Sequence, residues 1–311
     1  MLVRTSLFIV MSFMLTSCSL WSGSKPTSDN KERDVAFAAR KSMDAEPRKR
    51  ILVLPFLDAN TNRSKKVSEE ARKTLVRNLA RSDRFVLIHP SDLNKDPNAF
   101  VVNGEYDLEN VSKAVEALGV TAVIEGKILD VNAKRLSDDV GLFRKSKARM
   151  DASIRMRMFS VRGNREILSQ VRSANVEATT TRIGDGGGDT QSLQEDENLI
   201  SEVITKAFQT TIPAVIQAVD KLSWEGKIAL IQGNRIYLNA GRLTGLQVGD
   251  ILKVSAQGDE IFDPESGDFI GLAPGRMKGT LEVVSYFGTD GAVAVIHSGS
   301  GFRDNDIVVI Y

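Results

Sequence analysis

Ile51-Leu52-Val53-Leu54-Pro55-Phe56 decides the fold class. An unbroken apolar run of this length fits a strand buried on both faces, as in a parallel sheet covered by helices. Pro55 cannot donate to a ladder, so the strand ends or meets an edge there. Asp58-Ala59-Asn60-Thr61-Asn62 follows as a turn-prone loop. Val67, Ala71, Leu75 and Leu79 then recur at helical spacing, with Ser68 placed to cap and Glu69 and Glu70 in the first turn. Phe85-Val86-Leu87-Ile88 is a second strand. Asp107 caps a helix with Leu108, Val111, Val115 and Leu118 inside, closed by Gly119. Thr121 to Leu129 is a third strand, with Gly126 marking a bend or bulge. This alternation specifies a layered α/β module of two or three layers.

Downstream, Ala152, Ile154, Met156 and Met158 alternate with Ser153, Arg155, Arg157 and Phe159, the pattern of a half-buried strand. Arg162-Gly163-Asn164 turns it, and Ile167 to Val176 returns as its partner. Asp185-Gly186-Gly187-Gly188-Asp189 is a loop tip. A long helix closes the module through Ile200, Val203, Ile204, Ala207, Phe208, Ile212, Val215 and Val219, and Pro213 kinks or splits it. From Gly226 the texture changes to short strands punctuated by glycine. Candidates are Lys227–Gln232, Arg235–Asn239, Asp250–Ser255, Phe269–Leu272, Gly279–Ser285, Ala292–His297 and Asp306–Ile310. Asp263 to Asp268 is a tight hairpin turn. Seven short strands suggest a small closed barrel or sandwich.

Upstream, Arg4 precedes the apolar run Leu7 to Leu15, which is shorter than the roughly 20 residues a membrane span needs. Leu15-Thr16-Ser17-Cys18 resembles the lipobox of bacterial lipoproteins. The resemblance implies cleavage before Cys18 and acylation of its sulfur and new amino terminus. Cys18 is the one cysteine of 311 residues, so disulfides cannot brace the chain. In that family, Ser19 after the cysteine implies the outer membrane, on its periplasmic face. The division that follows is 1–17 leader, 18–48 polar tether, 49–224 α/β module and 225–311 small barrel, with a weak helical pattern at Val35, Phe37 and Ala38 inside the tether.

Two further resemblances concern the folded part. Ile51 to Thr61, Leu75 and Leu79, Arg84 to Ile88 and Gly119 to Ile128 resemble the periplasmic module shared by the curli secretion lipoproteins, lipoprotein activators of penicillin-binding proteins and the middle domain of the flagellar H-ring assembly protein T. Ile236 to Gly241, Gly245 to Asp250 and Phe262 to Gly267 resemble the carboxy-terminal domain of that flagellar family. The family carries an additional amino-terminal domain, where this sequence has its anchor and tether.

A net charge of +1 gives no polyelectrolyte signal for nucleic acid. His89 and His297 stand apart with no metal-ligand spacing. Asp138-Asp139 and Glu195-Asp196-Glu197 read as solvated acidic runs. Gly186-Gly187-Gly188 lacks the Lys-Ser/Thr of a phosphate loop. Asn60-Thr61-Asn62 offers amides and a hydroxyl but no base. The expectation is a non-enzymatic structural or assembly factor of an envelope machine, such as the flagellar basal body, without cofactor or metal. Its partners would be the membrane through lipid, other envelope proteins and further copies in a ring, with no nucleic acid. A curli-type secretion pore, built on the hairpin Ala148–Val176, and an activator of a cell-wall synthase stay open. Arg149, Arg155, Arg157, Arg162, Arg165 and Arg172, with Arg144, form a candidate surface for acidic partners.

Overall fold

The computed structural model describes residues 47–137, 145–181, 196–265, 267 and 269–311. The leader, Cys18, the tether as far as residue 46, Arg144, Asp138, Asp139, the triple glycine and Glu195 lie outside the described residues.

The first module comprises β1 (Lys49–Val53), β2 (Leu57–Asp58), α1 (Lys65–Arg81), β3 (Phe85–Ile88), β4 (Val101–Val102), β5 (Glu105–Tyr106), α2 (Leu108–Val115), β6 (Ala122–Ser137), β7 (Lys145–Ser160), β8 (Arg165–Thr181), α3 (Glu197–Gln209) and α4 (Ile212–Asp220). The sheet runs β3-β1-β6-β7-β8, with β2 also on β6. β1 pairs in parallel with β3 and β6, whereas β6, β7 and β8 form an antiparallel meander.

Alternate residues of β1 divide between two cores. Ile51 and Val53 join Val67, Leu75 and Leu79 of α1 and Val203, Ile204 and Phe208 of α3. Leu52 and Leu54 face Leu108, Val111 and Val115 of α2. Helices therefore lie on both sides of β1, which is why its run is apolar at every position. Asp107 caps α2 by accepting from Asn110 N at 3.1 Å, and Gly119 closes the following turn at φ 66°.

Three local expectations need correction. Ser68 is not a cap. α1 starts at Lys65, and the Ser68 hydroxyl donates to the Lys65 carbonyl at 3.0 Å. Gly126 marks no bulge, and the register of β6 shifts instead between Ile128 and Asp130. A Cβ on Gly126 would stand 2.7 Å from the Phe56 ring and 2.8 Å from that of Phe208. Glycine there admits the Phe56–Phe208 stack, whose centroids are 4.2 Å apart. β6 and β7 each run 16 residues. The third strand, expected to end at Leu129, runs on to Ser137. The closing helix is split at Pro213, one of the two outcomes expected there: α3 and α4 are separate, with Pro213 in the first turn of the second.

The second module holds β9 (Gly226–Gln232), β10 (Arg235–Leu238), β11 (Ile251–Ser255), β12 (Glu260–Phe262), β13 (Phe269–Leu272), β14 (Met277–Phe287), β15 (Gly291–Gly299) and β16 (Ile307–Ile310). Six of them close a barrel in the order β10-β15-β14-β11-β16-β9, every pair antiparallel. Ile228, Ile236, Leu238, Leu252, Val254, Leu281, Val283 and Val308 fill it. Phe269–Leu272 is not a barrel strand. It pairs with β12 in a separate ribbon, because β11 already spends both edges on β14 and β16.

The two modules lie within one compact unit, Glu46–Tyr311. Arg50 of β1 reaches Asp290 at the β14–β15 turn at 2.6 Å, and both side chains are nearly buried. Asp290 also accepts from Leu243 N and Thr244 N, at 2.9 and 3.1 Å. Arg50 donates as well to the Leu118 carbonyl. Lys227 pairs with Glu116 at 2.7 Å, and Arg162 pairs with Glu225.

Candidate functional site

Two polar constructions stand out, one on the arginine strand and one at the seam between the modules. On β7, Met150, Ala152, Ile154, Met156 and Met158 turn into the core beneath α3. Alternation puts Arg155 and Arg157 on the opposite side, facing Glu125 of β6. Glu125 is 1 % exposed, held by Arg157 Nε at 2.7 Å with Arg155 at 3.6 Å. Glu105, on the hairpin β4–β5, lies above them at 2.7 Å from Arg155, 3.6 Å from Lys127 and 3.9 Å from Arg157.

The two carboxyls respond oppositely. Burial raises Glu125 above the ordinary carboxyl value, against the pull of Arg157 and Arg155. The hydrogen bond from Arg155 outweighs a smaller burial cost at Glu105 and lowers it. Burial also raises the Tyr106 phenol, whose oxygen has no hydrogen-bond partner among the described residues. Arg155 and Arg157 are thus spent on internal acids. Arg149 is paired with Asp151 at 2.8 Å. Of the arginines proposed as an acid-binding surface, Arg162 is exposed but paired with Glu225, and Arg165 and Arg172 are exposed.

The seam holds a cleft of about 660 Å³. Its walls come from α2, the β7–β8 turn, the connector after α4 and the ribbon β12–β13. Ser112 donates to the Val161 carbonyl at 3.2 Å, and the Ser160 hydroxyl accepts from Gly163 N. Val120, Val161, Leu222 and Phe262 supply apolar lining. Its ionised lining residues comprise five cations (Lys113, Arg162, Arg165, Lys221 and Lys227) and three carboxylates (Glu109, Glu116 and Glu225), an excess of two positive charges. Lys113 pairs with Glu109 at 2.8 Å; Lys227 and Arg162 take the other two acids. Of these residues, the sequence flagged the arginines and the Arg162-Gly163-Asn164 turn; the rest lie far apart in the chain.

The other flagged residues serve local structure. His89 begins a short turn, its Nδ1 accepting from Ser91 N. His297 Nδ1 lies 2.9 Å from the Thr280 hydroxyl. Asn60 N donates to Asp58 and Asn62 N to Asn60, so that loop satisfies itself. Asp196 caps α3 through Asn198 N and Leu199 N. Among the described residues no group of three or more His, Cys, Asp or Glu side chains is placed to hold a metal ion. No described helix is long and apolar enough to cross a membrane.

No family model matches the sequence, and no curated protein matches it. Among solved structures, the chain is similar to the hypothetical protein CT253 from Chlamydia trachomatis, with 18% identity and a TM-score of 0.34 over 55% of this chain and 96% of that one. It is similar to lipoprotein GNA1162 from Neisseria meningitidis, with 13% identity, a TM-score of 0.27 and coverage of 55% and 98%. The C-terminal domain of LpoB from Salmonella enterica matches at 13% identity and a TM-score of 0.27, over 48% and 95%. At these scores, function is argued from the chain's own residues.

Proposed function

We propose that this chain is a lipid-anchored envelope protein, held on the periplasmic face of the outer membrane, that works by docking to other proteins rather than by catalysis. The observation that carries the reading is Leu15-Thr16-Ser17-Cys18, which ends a short apolar leader at the sequence's single cysteine. Acyl chains on that residue, at ~0.8 kcal/mol per buried methylene, anchor a protein when more than one is present. The ion pairs that join sheet and barrel support the rest, since a preformed surface costs a partner little ordering. Work as an assembly factor of an envelope-spanning machine, the flagellar basal body included, is the finer form of the same reading, and ring formation with further copies fits it. The pore alternative meets a physical obstacle. A lipid-facing strand needs an apolar outer side, and that side of β7 is buried beneath α3.

Intact-mass analysis of the protein from its native membranes tests the reading. A chain that starts at acylated Cys18, and that loses membrane association as Cys18→Ser, is the expected result. An unprocessed, unmodified chain in the cytosolic fraction would overturn it. Deleting the gene and imaging the basal body separates the finer form, because normal rings and motility reject a flagellar role while leaving docking intact.

A further inference from the structure

We propose that the seam cleft binds an acidic, partly apolar peptide segment of a partner protein. This rests on the docking reading for its biology but not for its chemistry. The cleft's volume lies within the range of ligand sites. Arg162–Glu225 and Lys227–Glu116 bridge the sheet module to the start of the barrel across it, and the buried Arg50–Asp290 pair joins the same two modules. A ligand therefore meets walls that need little ordering, which preserves affinity.

The lining dictates the chemistry. Three carboxylates are matched by three cations, which leaves Arg165 and Lys221 as the excess positive charge. Neither has a carboxylate partner among the described residues, and both are exposed. Between the charges lie Val161, Leu222 and Phe262, with the Phe262 side of the ribbon half exposed. A small inorganic anion uses the charges and leaves the apolar wall wet. A basic peptide is repelled. A segment that alternates carboxylates with apolar side chains satisfies both. The Ser112 and Ser160 hydroxyls, engaged with backbone, point to binding rather than reaction.

The chain carries its own reporter. Trp224 is 4 % exposed and sits between Ser223 and Glu225, which both line the cleft. It is one of two tryptophans, so Trp21→Phe leaves it as the sole emitter. The probe is a dye-labelled hexapeptide of alternating glutamate and leucine, followed by anisotropy on the full chain in detergent at low salt. The Trp224 emission of the unlabelled complex locates the site. Saturable binding is expected, weakened about tenfold or more by Arg165→Glu with Lys221→Glu and weakened by added salt. Both replacements are on exposed positions, and an unchanged melting temperature shows that the fold has survived. Phe262→Ser provides a second variant on the apolar wall, and it too is expected to weaken binding. The proposal is overturned if the peptide does not bind. It is also overturned if a lysine-leucine hexapeptide binds as well, if inorganic phosphate competes at equal ionic strength, or if the double variant binds like the parent. Because the assay needs no membrane, its failure leaves the lipid-anchor reading standing, and an unmodified Cys18 leaves this result standing.

Discussion

Replacing Arg50 by alanine tests the lock between the modules. The guanidinium makes its 2.6 Å pair with Asp290 where the two side chains are 10% and 12% exposed. It also donates to the Leu118 and Asp290 carbonyls, each at 3.3 Å. Removing it strands a nearly buried carboxylate, with only Leu243 N, Thr244 N and the Thr244 hydroxyl left to it. Breaking a buried pair from one side costs about 3–5 kcal/mol. At about 2–4 °C per kcal/mol for a body of this size, the melting temperature falls by about 6–20 °C. Calorimetry is the assay, and the parent's single transition is expected to separate into sheet and barrel components. Arg50→Met with Asp290→Asn removes both charges together while keeping a side-chain oxygen for Leu243 N and Thr244 N, and is expected to recover part of the loss. A cost below about 1 kcal/mol for Arg50→Ala, the range of solvent-screened surface pairs, would refute the claim that this pair locks the seam.

Gly126→Ala puts a methyl 2.7 Å from the Phe56 ring; overpacking of this kind costs about 1–3 kcal/mol, and an unchanged urea midpoint would show that the Phe56–Phe208 stack gives way freely. Phe208→Ala empties a site 1 % exposed and is expected to cost about 3–5 kcal/mol in the same titration. Asp107→Ala removes the cap of α2 and is expected to cost about 1 kcal/mol, read as faster amide exchange in residues 108–111. Glu125 gives a pH test. Its folded pKa is raised above 4.5, so its contribution is fully present below that value and is lost as pH rises through the folded pKa. Glu125→Gln stays neutral, so its stability relative to the parent is expected to improve as pH rises above 4.5, and a gap that stays constant with pH would rule this out. Glu105 runs the other way: its pKa is lowered from 4.5, so its contribution is present above that value and lost below it.

How much was legible follows from what each signal depends on. Ile51 to Leu54 announced burial on both faces because each residue feels only its own side of the sheet. Asp107, Gly119 and Pro213 acted within one helical turn, so their roles were visible locally. Val131 and Ala133 continue the period of two beyond Leu129, whereas Asp130 and Asn132 are residue types depleted in strands. Pairing along the whole of β7 overrode that local preference. The hairpin β4–β5 was missed although Asn103-Gly104, at φ 52° and 75°, is the strongest short hairpin signal available. Its flanks are two residues each, too short to show alternation.

Gly126 and Arg50 show the harder limit. A glycine in a strand suggests a bulge or a close approach equally well, and Phe208, the ring that helps decide between them, lies 82 residues away in sequence. Arg50 looked like the charged edge of an apolar run, and its partner is 240 residues downstream. The cleft is an extreme of the same kind, because its walls meet only when the barrel is seated against β1. Arg162 was flagged only as part of a turn and of a candidate acid-binding surface, and its partner Glu225, 63 residues downstream, was not singled out. If the modules separated, the cleft's charge balance would change along with its shape, since Glu116 and Glu225 would lose Lys227 and Arg162. Arg50→Ala is therefore expected to weaken the acidic peptide although Arg50 is not among the cleft's lining residues. Undiminished peptide affinity in a variant shown by calorimetry to have uncoupled modules would mean that the site belongs to one module alone.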